Sequence, residues 1–322
     1  MNIKEPLVSI CCTTYNHEKY IRDSIEGFLI QKTTFPIEII IHDDASTDNT
    51  ALIVKEYADN YPELIIPIFQ TENQYSKGIK PFYNYILPLI KGKYIAFCEG
   101  DDYWIDPYKL QKQVDILEAN PEYSLCVSGY KKYNVYTKEE EDNINIPSGV
   151  KLSNLGYTFT LDYTKKGWIT KTLTALFRND ISMLNKLSRY KYGKDVNLFY
   201  HLLKNGEKGF YFTEIMGVYR VHEGGIYSMK PLIVIINSAY HTYKELYQIN
   251  KDEYTRYMNL MHTLTLLNYN LFNNYTGNSL KIRINLYVEI ILLVKSIKEI
   301  RFLLTVFIPE KIKSKIKSQF YY

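Results

Sequence analysis

The chain opens with two apolar runs separated by a helical pattern. Residues 7–13 (LVSICCT) and 37–41 (IEIII) are short, β-branched and nearly continuous in hydrophobicity. That pattern predicts strands buried on both faces of a parallel sheet. Between them Ile21, Ile25, Phe28 and Leu29 recur at helical spacing, with Asn16 as the expected cap. The second strand ends in His42-Asp43-Asp44. A second helix is expected to open near Ser46-Thr47-Asp48, with Ile53, Val54, Tyr57 and Ala58 on one face. Residues 64–69 read as a third strand, placed at a sheet edge because Pro67 cannot donate to a ladder. Residues 81–90 predict a helix. Residues 93–98 predict a fourth strand, ending at Glu99-Gly100-Asp101-Asp102.

The alternation continues with a helix at 107–119 and a strand at 123–130. Residues 137–156 are polar and broken by Pro147, Gly149 and Gly156, as in a mobile surface loop. A strand at 168–178, helices at 179–187 and 196–203, and a strand at 210–220 follow. Beyond about residue 231 only helical patterns remain. Strand alternating with helix predicts an α/β fold with a doubly wound, mostly parallel sheet over about 1–228, followed by a helical extension over 229–322. The apolar segment 284–309 carries Glu289, Lys295, Lys298, Glu299 and Arg301. It is either a docked helix or an amphipathic one lying in a membrane interface.

Composition narrows the function classes. A chain of 322 residues with 46% hydrophobic residues can bury a sizeable core. A net charge of +4 is too small to argue for nucleic-acid binding. The basic excess gathers in Lys311, Lys313, Lys315 and Lys317, which suits an anionic membrane surface. Cys11, Cys12, Cys98 and Cys126 sit in apolar runs without metal-ligand spacing and read as reduced core thiols. No signal peptide and no 18-residue uncharged apolar run is visible, so a cytoplasmic location is expected, with contact to the inner face of the plasma membrane. The 32 tyrosines suit stacking on sugars and bases, and compositional bias in the coding sequence would give the same count.

Two acidic pairs, Asp43-Asp44 and Asp101-Asp102, end two of the expected strands. Ligands of open parallel sheets bind beyond the carboxyl ends of the strands. Adjacent carboxylates repel unless a cation neutralises them, and Mg²⁺ or Mn²⁺ bridges readily to diphosphate oxygens. The competing readings are a helix cap for one pair and plain solvation for the other. Dinucleotide, P-loop and serine-hydrolase readings fail, because Gly-X-Gly-X-X-Gly, the Walker loop and Gly-X-Ser-X-Gly are missing.

The segments Val8-Ser-Ile-Cys-Cys-Thr-Thr-Tyr-Asn16, Ile40-Ile-His-Asp-Asp-Ala-Ser-Thr-Asp48 and Gly92-Lys-Tyr-Ile-Ala-Phe-Cys-Glu-Gly-Asp-Asp-Tyr-Trp104 together resemble family 2 glycosyltransferases of the inverting, GT-A type. Asp195 through Gly206, followed by Val218-Tyr-Arg-Val-His-Glu-Gly-Gly225, is similar to the second half of that domain. The resemblance implies a GT-A fold with a mixed sheet. It also implies transfer of a sugar from a nucleotide donor, expected to be UDP-linked, to a glycan or lipid-linked glycan in surface-polysaccharide synthesis. Thr13, Tyr15, Asp44 and Asp101 would then bind the nucleotide. Asp102 and His222 would bind Mg²⁺ or Mn²⁺, Arg220 would neutralise the diphosphate, and Asp195 would be the base. Asp195 at a helix start also fits an ordinary cap. Trp104 would wall the acceptor site or simply fill the core. Lys77 and Gly78 are expected along the diphosphate channel, and Gly224 and Gly225 in a closing loop. The departures are Thr13, where the family usually has proline, and a contiguous acidic pair in place of a spaced one. The rival readings are a nucleotidyltransferase, which would need a Gly-rich basic loop after the first strand, and a non-catalytic cation- or glycan-binding module, which would not need Asp195.

Overall fold

The computed structural model describes residues 5–166, 171–225, 230–272, 279–296 and 299. The chain divides into two compact units, residues 1–189 with 193–229, and residues 190–192 with 230–322.

The first unit is built on a ten-stranded sheet. β1 (Val8–Thr14), β2 (Ile37–Asp43), β3 (Ile65–Phe69) and β4 (Tyr94–Phe97) form its parallel half in the order β3-β2-β1-β4. β3 is the edge strand, as Pro67 requires. Beyond β4 the sheet is mixed. β9 (Leu176–Arg178) runs antiparallel to both β4 and β6 (Tyr123–Asn134), and β10 (Lys208–Val221) is parallel to β6. β5 (Tyr103–Trp104) and β8 (Gly156–Thr160) pair antiparallel with β10, and β7 (Glu140–Asn143) pairs with β6. Part of the expected mobile loop at 137–156 is therefore an ordered strand.

α1 (Ile21–Leu29), α2 (Thr50–Asn60) and α3 (Lys109–Ala119) supply the other layer. Side chains alternate across a strand. Val8, Ile10 and Cys12 of β1 and Ile39 and Ile41 of β2 join a core with Ile21, Ile25, Phe28, Val54 and Leu110. The opposite face of β1, β2 and β4 carries Cys11, Thr13, His42 and Phe97, which line a cavity closed by residues 80–86. That closing segment is not the α-helix expected from the sequence. It is a π-helical turn, Phe82–Ile86, followed by a 3₁₀ turn, Leu87–Leu89, with Pro88 inside it. Asn16 is not a cap either. It has φ 55°, and its Oδ1 accepts from Thr47 N–H at 2.8 Å, tying the loop after β1 to the loop after β2.

The second unit consists of α6 (Leu232–Asn250), α7 (Glu253–Phe272) and α8 (Ser279–Leu293), with residues 190–192. Its core contains Tyr240, Leu260, Leu264, Leu267, Leu286 and Ile290. Lys244 and Tyr240 both bond Glu289, which ties α6 to α8. No described helix is long and apolar enough to cross a membrane. The expectations for residues 297–298 and 300–322, including Lys311, Lys313, Lys315 and Lys317, lie outside the described residues.

Candidate active site

A cavity of about 570 Å³ opens at the carboxyl ends of β1, β2 and β4. The loops after β1 and β2 are cross-braced before any side chain enters it. Asn16 N–H donates to Ser46 Oγ, His17 N–H to Thr50 Oγ1, and Glu18 N–H to Asp48. Asp43 does not face the cavity. Its carboxylate accepts from Ser46 N–H and Ser46 Oγ–H, a local turn that also accommodates Ala45 at φ 61°. Asp44 does line the cavity, and its two oxygens accept from Gln74 N–H at 2.8 Å and Tyr75 N–H at 3.0 Å. A carboxylate has about four acceptor positions, so capacity remains for a ligand N–H.

Five of the nine residues expected in the site meet here: Thr13, Tyr15, Asp44, Asp101 and Asp195. Gly224 lines the cavity as well, and Gly225 N–H donates to His222 O in a turn.

The two members of the Asp101-Asp102 pair face opposite ways. Asp101 faces the cavity, with Oδ2 at 3.0 Å from His222 Nε2 and 3.7 Å from His17 Nε2. Burial works against its charge, but the hydrogen bond from His222 and the neighbouring His17 hold its pKa below the usual carboxylate range. Asp102 is 4% exposed and accepts from the Arg220 backbone N–H at 2.8 Å. Burial, and then the charges of Asp101 and Glu99, push its pKa well up. Asp102 thus brackets β10 from inside, and the cavity-facing carboxylate is Asp101. This reverses the order expected from the sequence, because residues 99–102 form a turn in which Asp102 N–H donates to Glu99 O at 3.1 Å, and of its acids only Glu99 and Asp101 line the cavity.

Two further residues expected in the site are held in packing contacts. Arg220 is 6% exposed and lies outside the cavity lining. Its guanidinium sits over Tyr103 at 4.2 Å and Tyr20 at 5.3 Å, donates to Asp101 O at 3.0 Å and pairs with Asp23. It clamps the loop that carries Asp101, and its contacts are to protein groups outside the cavity lining. Trp104 is 1% exposed, donates Nε1–H to Leu173 O at 2.7 Å and packs on Phe28 and Lys109, so it takes the core-filling role, one of its two expected readings. Lys77 pairs with Glu72 beside Gly78, which closes a turn at φ 78°, and neither lines the cavity. The lysines that do are Lys80 and Lys194.

Asp195 is the first residue of α5 (Asp195–Leu203), and the cap position belongs to Lys194. One Asp195 oxygen accepts from Val196 N–H at 2.9 Å, and burial raises its pKa. The cavity residues that the sequence pattern does not single out include His17, His42 and Glu99. Burial, and then Asp101, push Glu99 up to about 7, and it accepts from Thr172 Oγ–H at 3.0 Å. The signal was present as the spaced Glu99-X-Asp101, masked by the adjacent pair.

Asp101 with His222 gives one carboxylate and one imidazole at the cavity edge, a donor pair that fits a divalent cation completed by water and phosphate oxygens. Among the described residues no three His, Cys, Asp or Glu side chains form a closed metal cage.

The sequence profile described as Glycosyl transferase family 2 matches residues 9–204. An uncharacterized protein of Mycobacterium tuberculosis is 48% identical over 119 residues, which is 37% of this chain and 34% of that protein. The chain thus aligns with about a third of the length of that relative. The Escherichia coli protein named UDP-Glc:alpha-D-GlcNAc-diphosphoundecaprenol beta-1,3-glucosyltransferase WfaP is 30% identical over 70% of this chain and 81% of its own. Among solved structures, Staphylococcus aureus TarS with UDP-GlcNAc superposes with a TM-score of 0.56 at 18% identity, covering 95% of this chain and 83% of that one. The mannosyltransferase PcManGT of Pyrobaculum calidifontis, solved with GDP-Man and Mn²⁺, gives 0.54 at 17% identity over 94% and 85%. At these identities the superpositions establish the fold alone. With the profile spanning β1 through α5, this chain belongs to glycosyltransferase family 2.

Proposed function

We propose that the protein transfers a sugar, with inversion, from a nucleotide donor to a hydroxyl of a glycan or lipid-linked glycan. The observation that carries this reading is that Thr13, Tyr15, Asp44 and Asp101, from the first hundred residues or so, share one cavity with Asp195 from the second half. Thr13, Tyr15 and Asp44 receive the nucleoside. Asp101 and His222 are the residues that would hold a divalent cation, Mg²⁺ or Mn²⁺, which offsets charge on the leaving diphosphate. PcManGT, with its bound Mn²⁺ and GDP-Man, supports that assignment. Lys80 and Lys194 add positive charge along the same wall. Asp195 takes the proton of the acceptor hydroxyl as its oxygen bonds to the anomeric carbon and the bond to the diphosphate breaks.

The donor is UDP-linked in this reading, in keeping with the ligand of TarS and the name of WfaP. The WfaP name also supports a lipid-linked acceptor. Peripheral contact with a membrane would suit such an acceptor. It is supported by α8, which exposes Ile284, Tyr287, Val288, Ile291 and Leu292 along one side.

Isothermal titration of UDP with and without Mn²⁺ tests the assignment. Wild-type protein is expected to bind UDP in a Mn²⁺-dependent manner, and Asp101→Ala to lose that dependence. If Asp101→Ala keeps Mn²⁺-dependent UDP binding, the assignment of the metal to Asp101 is wrong.

A further inference from the structure

His42 is completely buried, with 0% of its surface exposed, yet it lines the cavity. Neither Nδ1 nor Nε2 has a hydrogen-bond partner. A buried imidazole with both nitrogens unmatched is destabilising unless something arrives to pair with it. Burial lowers its pKa, so the ring is neutral, with one N–H donor and one acceptor nitrogen.

The ring is held in place by the residues that also hold Asp44. It stacks on Tyr85 at 5.3 Å and 24°. Tyr85 Oη–H donates to Gln74 Oε1 at 3.0 Å, and Gln74 N–H donates to Asp44 Oδ1 at 2.8 Å. His42 is also the β2 register partner of Thr13 on β1, and it stands two residues before Asp44, on the same side of the strand. Thr13, His42 and Asp44 thus present one patch made of a fixed acceptor-only carboxylate and an unmatched neutral donor.

We propose that His42 is a specificity-determining residue for the donor base, donating to a carbonyl of a uracil-type imide edge whose central N–H is accepted by Asp44. This rests on the nucleotide-sugar reading above and extends it to the choice of base. The imide edge offers carbonyl, N–H and carbonyl in sequence. Cytosine replaces the central N–H and one carbonyl with a bare nitrogen and an amino group. Asp44 would then face a lone pair, and a His42 N–H aimed at the C4 carbonyl would face an amino group, another donor. The site therefore prefers UDP to CDP, two ligands that are identical in ribose and diphosphate.

The test is titration of UDP, CDP, GDP and pyrophosphate, each with Mn²⁺, into wild type, His42→Leu and His42→Asn. Wild type is expected to favour UDP over CDP. In His42→Leu the UDP affinity falls about tenfold, the size of one lost hydrogen bond in a dry site, while pyrophosphate binding stays within about twofold. If His42→Leu does not fold, His42→Asn carries the test, with a reduced UDP-over-CDP ratio expected. An unchanged ratio in a folded variant overturns the proposal and leaves His42 as a core filler. An equal loss toward pyrophosphate also overturns it, because that marks a general disturbance of the cavity. Wild type that binds GDP but neither pyrimidine nucleotide overturns the base assignment and leaves a nucleotide-sugar enzyme standing. Wild type that binds no nucleoside diphosphate overturns the proposed function itself.

Discussion

At the residue scale the site is decided by where the turn after β4 sends each acid. Glu99 and Asp101 face the cavity, and Asp102 turns inward to accept from Arg220 N–H. Asp195 is the remaining acid, and its role makes a sharp prediction. Asp195→Asn should leave Mn²⁺-dependent UDP binding intact and lower the transfer rate by about 10²–10⁴, the usual contribution of a positioned base. Near-wild-type transfer by that variant would remove Asp195 from the mechanism. The pH dependence has a definite sign. Burial raises the Asp195 pKa, and a base works only when deprotonated, so the rate should fall as pH drops through that raised value. A rate profile of wild type should place this acid limb above the ~3.9 of a free aspartate. Much of the site was legible in the sequence, because Thr13, Tyr15, Asp44, Asp101 and Asp195 all reached the cavity. What failed was orientation. Adjacency in Asp101-Asp102 hides the two-residue spacing of Glu99 and Asp101, and no local pattern shows that Arg220 and Trp104 are held in packing contacts. His42 was passed over because it sat at the end of an apolar run, where a histidine reads as strand filler.

At the element scale the strands of the parallel half were readable because they are continuous apolar runs, buried on both faces. β5, β7 and β8 were not. β5 has two residues, β7 is wholly polar, and β8 begins at Gly156, which reads as a loop. β5 and β8 pair with β10, far away in the chain, while β7 folds back on β6 as a hairpin of polar residues. The segment 81–90 was read as an α-helix, but its hydrogen bonds follow π and then 3₁₀ spacing around Pro88. Contact between elements also fixes the Asp101 loop from below. α1 lies against β5 so closely that a Cβ on Gly27 would meet Trp104 N at 2.8 Å, and Ser24 Oγ on the same helix contacts Gly100 O at 3.0 Å. Gly27→Ala therefore sets two effects against each other. Alanine favours the helix by about 1 kcal/mol, and overpacking against backbone costs about 1–3 kcal/mol. The net expectation is destabilisation by about 1 kcal/mol in urea unfolding, with weaker Mn²⁺-dependent UDP binding. A more stable Gly27→Ala protein would show that α1 and β5 are not in such close contact.

At the scale of the whole molecule, strand patterns end in the sequence near residue 229, and the described chain has two compact units, residues 1–189 with 193–229 and residues 190–192 with 230–322. The placing of residues 190–192 is set by tertiary contacts, with Lys191 and Tyr192 N–H groups donating to Glu245, and no local pattern announces it. The helical unit bears the membrane prediction. Full-length protein should co-sediment with vesicles containing anionic lipid. The double variant Ile291→Glu, Leu292→Glu, on the most exposed part of α8, should sediment several-fold less, and equal sedimentation would sink the idea. Arg220 has a consequence for the life of the chain before it is complete. Its guanidinium reaches across 119 residues to Asp101 O and across 197 to Asp23. Contacts of such long sequence separation form late. A nascent chain halted before β10 already carries the cavity residues Thr13, Tyr15, Asp44 and Asp101, yet lacks the clamp over the acidic loop. The acidic loop therefore receives its clamp only once translation has passed β10.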